Sequence, residues 1–436
     1  DTLDPGASLP TPVALAIDLS SGLELLVSGS VEGTGVVGAP GGGDDTAFLT
    51  VAGVTISGSV QFAMSVQRVD LKVGATLYDD VKLTTFALRI NQPVSLTVDA
   101  ISASITSGVL GVATLELADG TRYLGIRAQD LAATVLGVSG LDGALTGVSI
   151  KINKATGPTT PAALNWRTSV DLDSTGAFAA GTVGIVDPGR ALQPAQSLPI
   201  DFTAEVVSFA AVVDIDLFGI VHISASFALN TTTVNVDTDG NGVADITGAT
   251  LRTYAISVDG QAATPQSVSI QVGGAGVAIT SGEVVVAILE AADGRAYIAV
   301  RADNVGANVI GLPDSIDLNL TGIGFVFNSA RTSVAGALAP AALNWTTALD
   351  LDVDGDFADQ LDPGLELPVP KSMPLNSVAA ILRITAGGSL NIGSGNVVAL
   401  IPAGGLQIDI GTGTVVTGNP AIVGLGALAG TINGAR

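Results

Sequence analysis

The sequence predicts an all-β chain of tandem antiparallel β-sandwich or barrel-like domains, and three observations point there. Apolar residues alternate with small or polar ones, as in Ile56-Ser57-Gly58-Ser59-Val60-Gln61-Phe62-Ala63-Met64 and its partner Ile223-Ser224-Ala225-Ser226-Phe227-Ala228-Leu229. That period of two belongs to strands with one buried face. Asp119-Gly120 and Asp293-Gly294 each stand between two alternating runs, a strong short-range hairpin signal. Finally, a long motif recurs. Asn165-Trp166 leads through Val170-Asp171-Leu172-Asp173 to Asp187-Pro188-Gly189, and Asn344-Trp345 leads through Leu349-Asp350-Leu351-Asp352-Val353-Asp354-Gly355 to Asp362-Pro363-Gly364. Each copy reads as a Trp-anchored strand entering an acidic loop.

Composition narrows the class. The 436 residues suffice for two or three domains with their own cores. Val, Ile, Leu and Ala are mixed with Ser, Thr and 55 Gly, which favours strands and tight turns over helices. Hydrophobic residues reach 47%, yet no apolar run approaches the roughly 18 residues of a membrane span. The absence of Cys excludes thiol chemistry and thiolate zinc sites. A net charge of −23 argues against nucleic acid and anionic membrane surfaces, and suits a divalent-cation or saline environment.

In chain order, Asp1 to Pro12 form a loop tail and a Pro-rich link. Asp1-Thr2-Leu3-Asp4-Pro5-Gly6 matches Asp359-Gln360-Leu361-Asp362-Pro363-Gly364 at five of six positions, so the chain is expected to be a section of a longer tandem array. Strand-like runs follow at Val13 to Leu19 and Leu23 to Val31, then a Gly-rich break from Gly38 to Gly43. Hairpins are expected at Val112–Ala128 and Val284–Ala302. Ile105-Thr106-Ser107-Gly108 and Ile279-Thr280-Ser281-Gly282 lie 174 residues apart, as do Tyr123 and Tyr297, whereas Trp166 and Trp345 lie 179 apart. Five residues are therefore inserted in the second copy, expected in a surface loop. With Asp-Pro-Gly as punctuation, the expected organisation is a unit at 1–186, a second at 187–361, and a partial or atypical third at 362–436, arranged as beads on a string. A β-solenoid is the alternative, disfavoured because the units are of domain size.

Two acidic loops are candidate metal sites. Asp237, Asp239, Asn241, Val243 and Asp245 fit the first nine positions of an EF-hand-type loop. Alternate side chains would supply hard oxygens, Gly242 the sharp turn, and the Val243 carbonyl a further ligand. The twelfth position is Gly248 in place of Glu, and strands flank the loop. The other loop gathers Asp350, Asp352, Asp354, Asp356, Asp359 and Asp362, whose mutual repulsion a Ca2+ ion would relieve. The first copy keeps Asp171 and Asp173 of that set, while Asp70-Leu71-Lys72-Val73 places Lys72 at the position read as equivalent to Asp239. The bland alternative for either loop is an Asx-rich turn without an ion.

Catalytic chemistry has little support. The single His, His222, lies in an apolar run, and no Ser/His/Asp set can be assembled in both copies. Aromatic residues make up 4%, leaving few sugar-stacking platforms, and the equivalent Trp166 and Trp345 read as core anchors. No enzyme activity is expected.

The combination Ala-Ala-Leu-Asn-Trp, Leu-Asp-Leu-Asp-x-Asp-Gly and Leu-Asp-Pro-Gly-x-x-Leu-Pro-x-Pro resembles the long tandem repeats of very large bacterial surface or secreted proteins. Those with LEPR-XLL domains and the RTX-like calcium-dependent adhesins are the nearest in style, over residues 1–375. The nonapeptide run of RTX modules is missing. The resemblance implies an exported, extracellular, calcium-stiffened segment: part of a cell-surface fibre, stalk or layer, whose partners are neighbouring repeats or identical chains in a homopolymer. A calcium-dependent adhesin or carbohydrate-binding module is the alternative, and a polysaccharide-active enzyme stands third.

Overall fold

The computed structural model describes residues 23–32, 49–51, 54–98, 101–138, 141–158, 161–173, 175–176, 178, 184–217, 220–261, 264–272, 275–312, 316–352, 354–392, 397–410 and 428–432. The expected loop tail at Asp1–Pro12, the run Val13–Leu19 and the break Gly38–Gly43 lie outside them. No helix among the described residues is long and apolar enough to cross a membrane.

Strands dominate, and every pairing between them is antiparallel. The first unit holds β1 (Leu23–Glu32), β2 (Leu49–Val51), β3 (Val54–Val73), β4 (Thr76–Val98), β5 (Ile101–Glu116), β6 (Arg122–Val138) and β7 (Leu141–Thr156). A helical turn, α1 (Trp166–Ser169), and the two-residue β8 (Val170–Asp171) follow. The second unit repeats the series with β9 (Val206–Leu217), β10 (Val221–Val236), β11 (Ile246–Asp259), β12 (Ser267–Val272), β13 (Ala275–Glu290), β14 (Arg295–Ile310), β15 (Ile316–Thr332) and β16 (Leu349–Asp350). After it come β17 (Ile381–Ile392), β18 (Val397–Ile410) and β19 (Leu428–Ile432). Gly387 and Gly388 sit inside β17, at a register shift between Ala386 and Gly388.

The all-β antiparallel class is observed, but the units are not separate beads. The last long strand of the first unit, β7, pairs with the first strand of the second, β9, from Leu141 opposite Leu217 to Asn153 opposite Val206. In the same way β15 pairs with β17 from Ile316 opposite Ile392 to Asn328 opposite Ile381. Sheet hydrogen bonding thus passes through both junctions, and one sheet runs the length of the described chain. The antiparallel hairpins also rule out the parallel coils of a solenoid. A junction made of backbone hydrogen bonds satisfies an edge that a bead would leave open.

Both expected hairpins form. Asp119 Oδ1 accepts from Thr121 N at 2.8 Å, and Gly120 turns at φ +87°, a left-handed value that glycine adopts without strain. The paired Ile-Thr-Ser-Gly motifs mark matched β-bulges. Pairing of β5 with β6 shifts between Ser107 and Val109, and pairing of β13 with β14 shifts between Ser281 and Glu283. Gly108 and Gly282 have φ of +121° and +123°, and a Cβ on Gly108 would lie 2.7 Å from Leu131 Cα. Bulges of this kind bend long strands and fix their register.

Each unit's core lies between the sheet and the long connection that leaves its last strand. In the first unit, the connection after β7 lays Leu164, Trp166, Val170, Val186, Ile200 and Phe202 over Val69, Leu71, Leu83, Leu115 and Tyr123. In the second, Leu343, Trp345, Leu349, Leu361, Leu367 and Met373 cover Val236, Leu251, Leu289 and Tyr297. The tryptophans are core anchors, with Trp166 1% and Trp345 0% exposed. The expected Trp-anchored strand is a short turn instead: Asn165 Oδ1 caps α1 by accepting from Arg167 N at 3.2 Å, and only then does the two-residue strand begin.

The buried Asn153 and Asn328 stand 175 apart, against 174 for the tyrosines and 179 for the tryptophans. Four of the five inserted residues therefore fall between Asn328 and Trp345, a segment that includes Leu338 at 94% exposure.

Candidate cation sites

The backbone brings the two acidic loops of the second unit together. β16 pairs with the end of β10, Asn235 opposite Asp350 and Val236 opposite Leu349, and Asp237 N donates to Ala348 O at 2.9 Å. One loop leaves β10 at Asp237, and the other leaves β16 at Asp350. Asn235 joins them, its Nδ2 donating to Asp350 Oδ2 at 3.4 Å while its Oδ1 accepts from Gly248 N at 3.2 Å.

In the first loop Asp237 is buried and its carboxylate gathers backbone donors. Oδ1 accepts from Asp239 N at 3.1 Å and Gly240 N at 2.7 Å, and Oδ2 accepts from Gly242 N at 2.6 Å. The Asx pattern continues through Asp239 Oδ1, which accepts from Asn241 N at 3.1 Å, and Asn241 Oδ1, which accepts from Val243 N at 2.8 Å. Asp245 folds back, its Oδ2 accepting from Thr238 N at 2.8 Å and Thr238 Oγ1 at 2.6 Å. Gly240 and Gly242 have φ of +77° and +80°, which explains glycine at both positions. Burial pushes the Asp237 carboxyl up, but the amides of Gly242, Gly240, Asp239 and Asn241 outweigh it and hold it below the ordinary aspartate value. Asp245 is also lowered, chiefly by the Thr238 hydroxyl and then by the Thr238 amide.

The second loop is built the same way around buried Asp350, whose Oδ1 accepts from Asp354 N at 3.0 Å and Oδ2 from Gly355 N at 3.2 Å. Asp359 Oδ2 accepts from Leu351 N at 2.7 Å, closing the loop. Asp352 is exposed, and its carboxyl is pushed up by desolvation, then by the charges of Asp354 and Asp359.

Two groups of carboxylates result. Asp237, Asp239 and Asp245 offer oxygens within 4.8 Å of one another, and so do Asp350, Asp352 and Asp359. Each group joins one buried carboxylate to two more accessible ones, an arrangement that can hold a metal ion through hard oxygen ligands. The other sequence candidates lie in or beside the same loops, outside the two three-carboxylate groups. Asn241 turns its Oδ1 to Val243 N and its Nδ2 to Asp239, and Val243 is 65% exposed. Asp354 and Asp356 are exposed and accept from Asp356 N and Ala358 N at 2.8 and 2.9 Å. Asp362 is engaged in the Asp-Pro-Gly turn, accepting from Met373 N and Ser372 Oγ, both at 2.8 Å.

In the first unit Asp171 is buried and accepts from Asp173 N at 3.3 Å and Gly176 N at 2.7 Å, while Asp173 accepts from Thr175 Oγ1 at 2.9 Å. The cradle is retained there, but the described residues form no three-carboxylate group. The sequence correspondence at Lys72 is corrected by two positions. β8 pairs Val170 with Leu71 and Asp171 with Asp70, so Asp70 is equivalent to Asn235 and Lys72 to Asp237. A two-residue turn between β3 and β4 replaces the whole acidic loop. His222 sits on β10 opposite Asp216 on β9 and Ser269 on β12.

Sequence reasoning missed Asn235, Thr238 and the buried asparagines. Asn235 becomes visible only through the pairing of β10 with β16, which joins residues 115 apart. No protein-family model matches the chain, and no curated protein and no solved structure does.

Proposed function

We propose that this chain is a non-catalytic structural segment of an extracellular bacterial surface fibre, stalk or layer, stiffened by Ca2+ in the loops at Asp237–Asp245 and Asp350–Asp359. The observation that carries the reading is the pair of carboxylate groups set side by side by β10 and β16. Calcium suits them because it takes many oxygen ligands in adaptable geometry, whereas magnesium demands a tighter octahedron. Bound there, it would offset the repulsion among three carboxylates and pin the long connection to the sheet. Partners are neighbouring repeats in one chain or in identical chains.

The test is thermal melting in millimolar calcium, in chelator and in magnesium, for the wild type and Asp352→Asn. Ligand bound only to the folded state raises its stability. The expected result is a calcium-specific rise in Tm that Asp352→Asn largely removes, while the same variant melts no lower than wild type in chelator, because it relieves charge crowding. Identical curves with and without calcium would overturn the reading.

A further inference from the structure

The edge of β1 is the best-defined interaction surface outside the acidic loops. Among the described residues β1 pairs only with β3, and no described strand lies along its outer edge. Its equivalents are paired on both edges: β9 lies between β7 and β10, and β17 between β15 and β18. The equivalence is set by register. Val27 faces Met64 on β3 as Phe209 faces Leu229 on β10, and Ser28 faces Ala63 as Ala210 faces Ala228. β1 also exposes three consecutive large apolar side chains, Leu25 at 44%, Leu26 at 51% and Val27 at 45%. Unpaired edges are commonly blunted by Lys, Pro or inward charge, and Leu23–Glu32 contains neither Lys nor Pro. Its Glu24 is drawn to Arg68 of β3 at 2.6 Å, which fixes β1 against the sheet.

We infer that the outer edge of β1 seats a strand of the β7 and β15 type, supplied by another unit of the same repeat. The inference rests on the repeat-array reading, but not on calcium. Two precedents within the chain identify the occupant, since each equivalent of β1 receives the last long strand of the unit before it. They also fix the register. Phe209 stands opposite Ile150 and Ser208 opposite Lys151, and Ile384 stands opposite Phe325. Val27 therefore faces the position of Ile150, and Leu26 that of Lys151. The β7 and β15 strands of a second copy are already paired on both edges, so the donor is a unit whose last strand has a free edge.

The chain has no cysteine, which makes register directly testable. Full-length Val27→Cys and Leu26→Cys proteins would each be oxidised with a synthetic peptide of Leu141–Thr156 carrying Cys in place of Ile150 or Lys151. One of the two matched pairings falls at a non-hydrogen-bonded position, where side chains stand closest. The expected result is a disulfide in at least one matched combination, Val27 with Ile150 or Leu26 with Lys151. The mismatched combinations and a scrambled peptide should give only background. Equal crosslinking of matched, mismatched and scrambled peptides would overturn the proposal. So would Val27→Cys chains that crosslink chiefly to one another, since that marks a self-contact. Either failure leaves the calcium melt unaffected, because the acidic loops lie on β10 and β16.

Discussion

Trp166 and Trp345 each donate from Nε1 to a buried asparagine, Asn153 Oδ1 at 2.8 Å and Asn328 Oδ1 at 3.0 Å. The amide of each asparagine then ties down both ends of the overlying connection. Asn153 Nδ2 reaches Leu164 O at 2.9 Å and Ala204 O at 2.7 Å, and Asn328 Nδ2 reaches Leu343 O and Ala379 O, both at 2.9 Å. Replacing Asn328 by Leu would keep the volume but strand an indole N–H and two carbonyls. Each buried polar group left unpaired costs about 1–3 kcal/mol, so Asn328→Leu is expected to destabilise the chain by about 3 kcal/mol in urea unfolding. An unchanged midpoint would contradict the clamp. The tryptophans were legible in the sequence because they recur within a long motif. The asparagines were not, because their distance to the tryptophan differs between copies, 13 against 17 residues. The Asp-Pro-Gly signal was legible as punctuation, and its cause is steric: a Cβ on Gly189 would lie 2.2 Å from Gln196 O, and one on Gly364 2.0 Å from Lys371 O.

At the scale of elements, the acidic loops are held by their carboxylates even before any ion is considered. Asp237 has its folded-state value lowered, so it contributes stability at pH above the ordinary aspartate range, and that contribution is lost as pH falls through its lowered value. Asp245 acts in the same direction. Asp352 acts in the opposite one, because its raised value means that protonation on acidification relieves crowding. In chelator, the stability gap between wild type and Asp237→Asn should therefore be steady near neutral pH and narrow below the ordinary aspartate range. Urea melts across a pH series would check this, and a gap that widens in acid would contradict it. The loop spanning Asp237–Asp245 was readable from oxygen-bearing side chains at alternate positions and from Gly242. Its first-unit counterpart was misplaced by two residues, because only the pairing of β3 with β8 and of β10 with β16 aligns Asp70 with Asn235.

At the scale of the molecule, the alternation of apolar and polar residues and the Asp-Gly turns were enough to read antiparallel strands and their hairpins. They could not show that the sheet continues from one unit into the next. That continuation depends on β7 meeting β9 across the long connection at 157–205, and alternating strands carry no mark of which edge they join. Lys151 of β7 also reaches Glu366 in the turn of the following unit at 3.1 Å, so side chains as well as backbone cross the joint. On the proposed reading, ions held where β10 and β16 meet stiffen the connection that covers the second unit's part of the sheet. Hydrogen exchange of the full chain with and without calcium tests this most directly. The account predicts added protection concentrated at Val236–Ile246 and Ala348–Leu361, with a smaller change at Leu71–Thr76 and Val170–Gly176 of the first unit. Equal protection with and without calcium at the two acidic loops, or a gain spread evenly over both units, would contradict it.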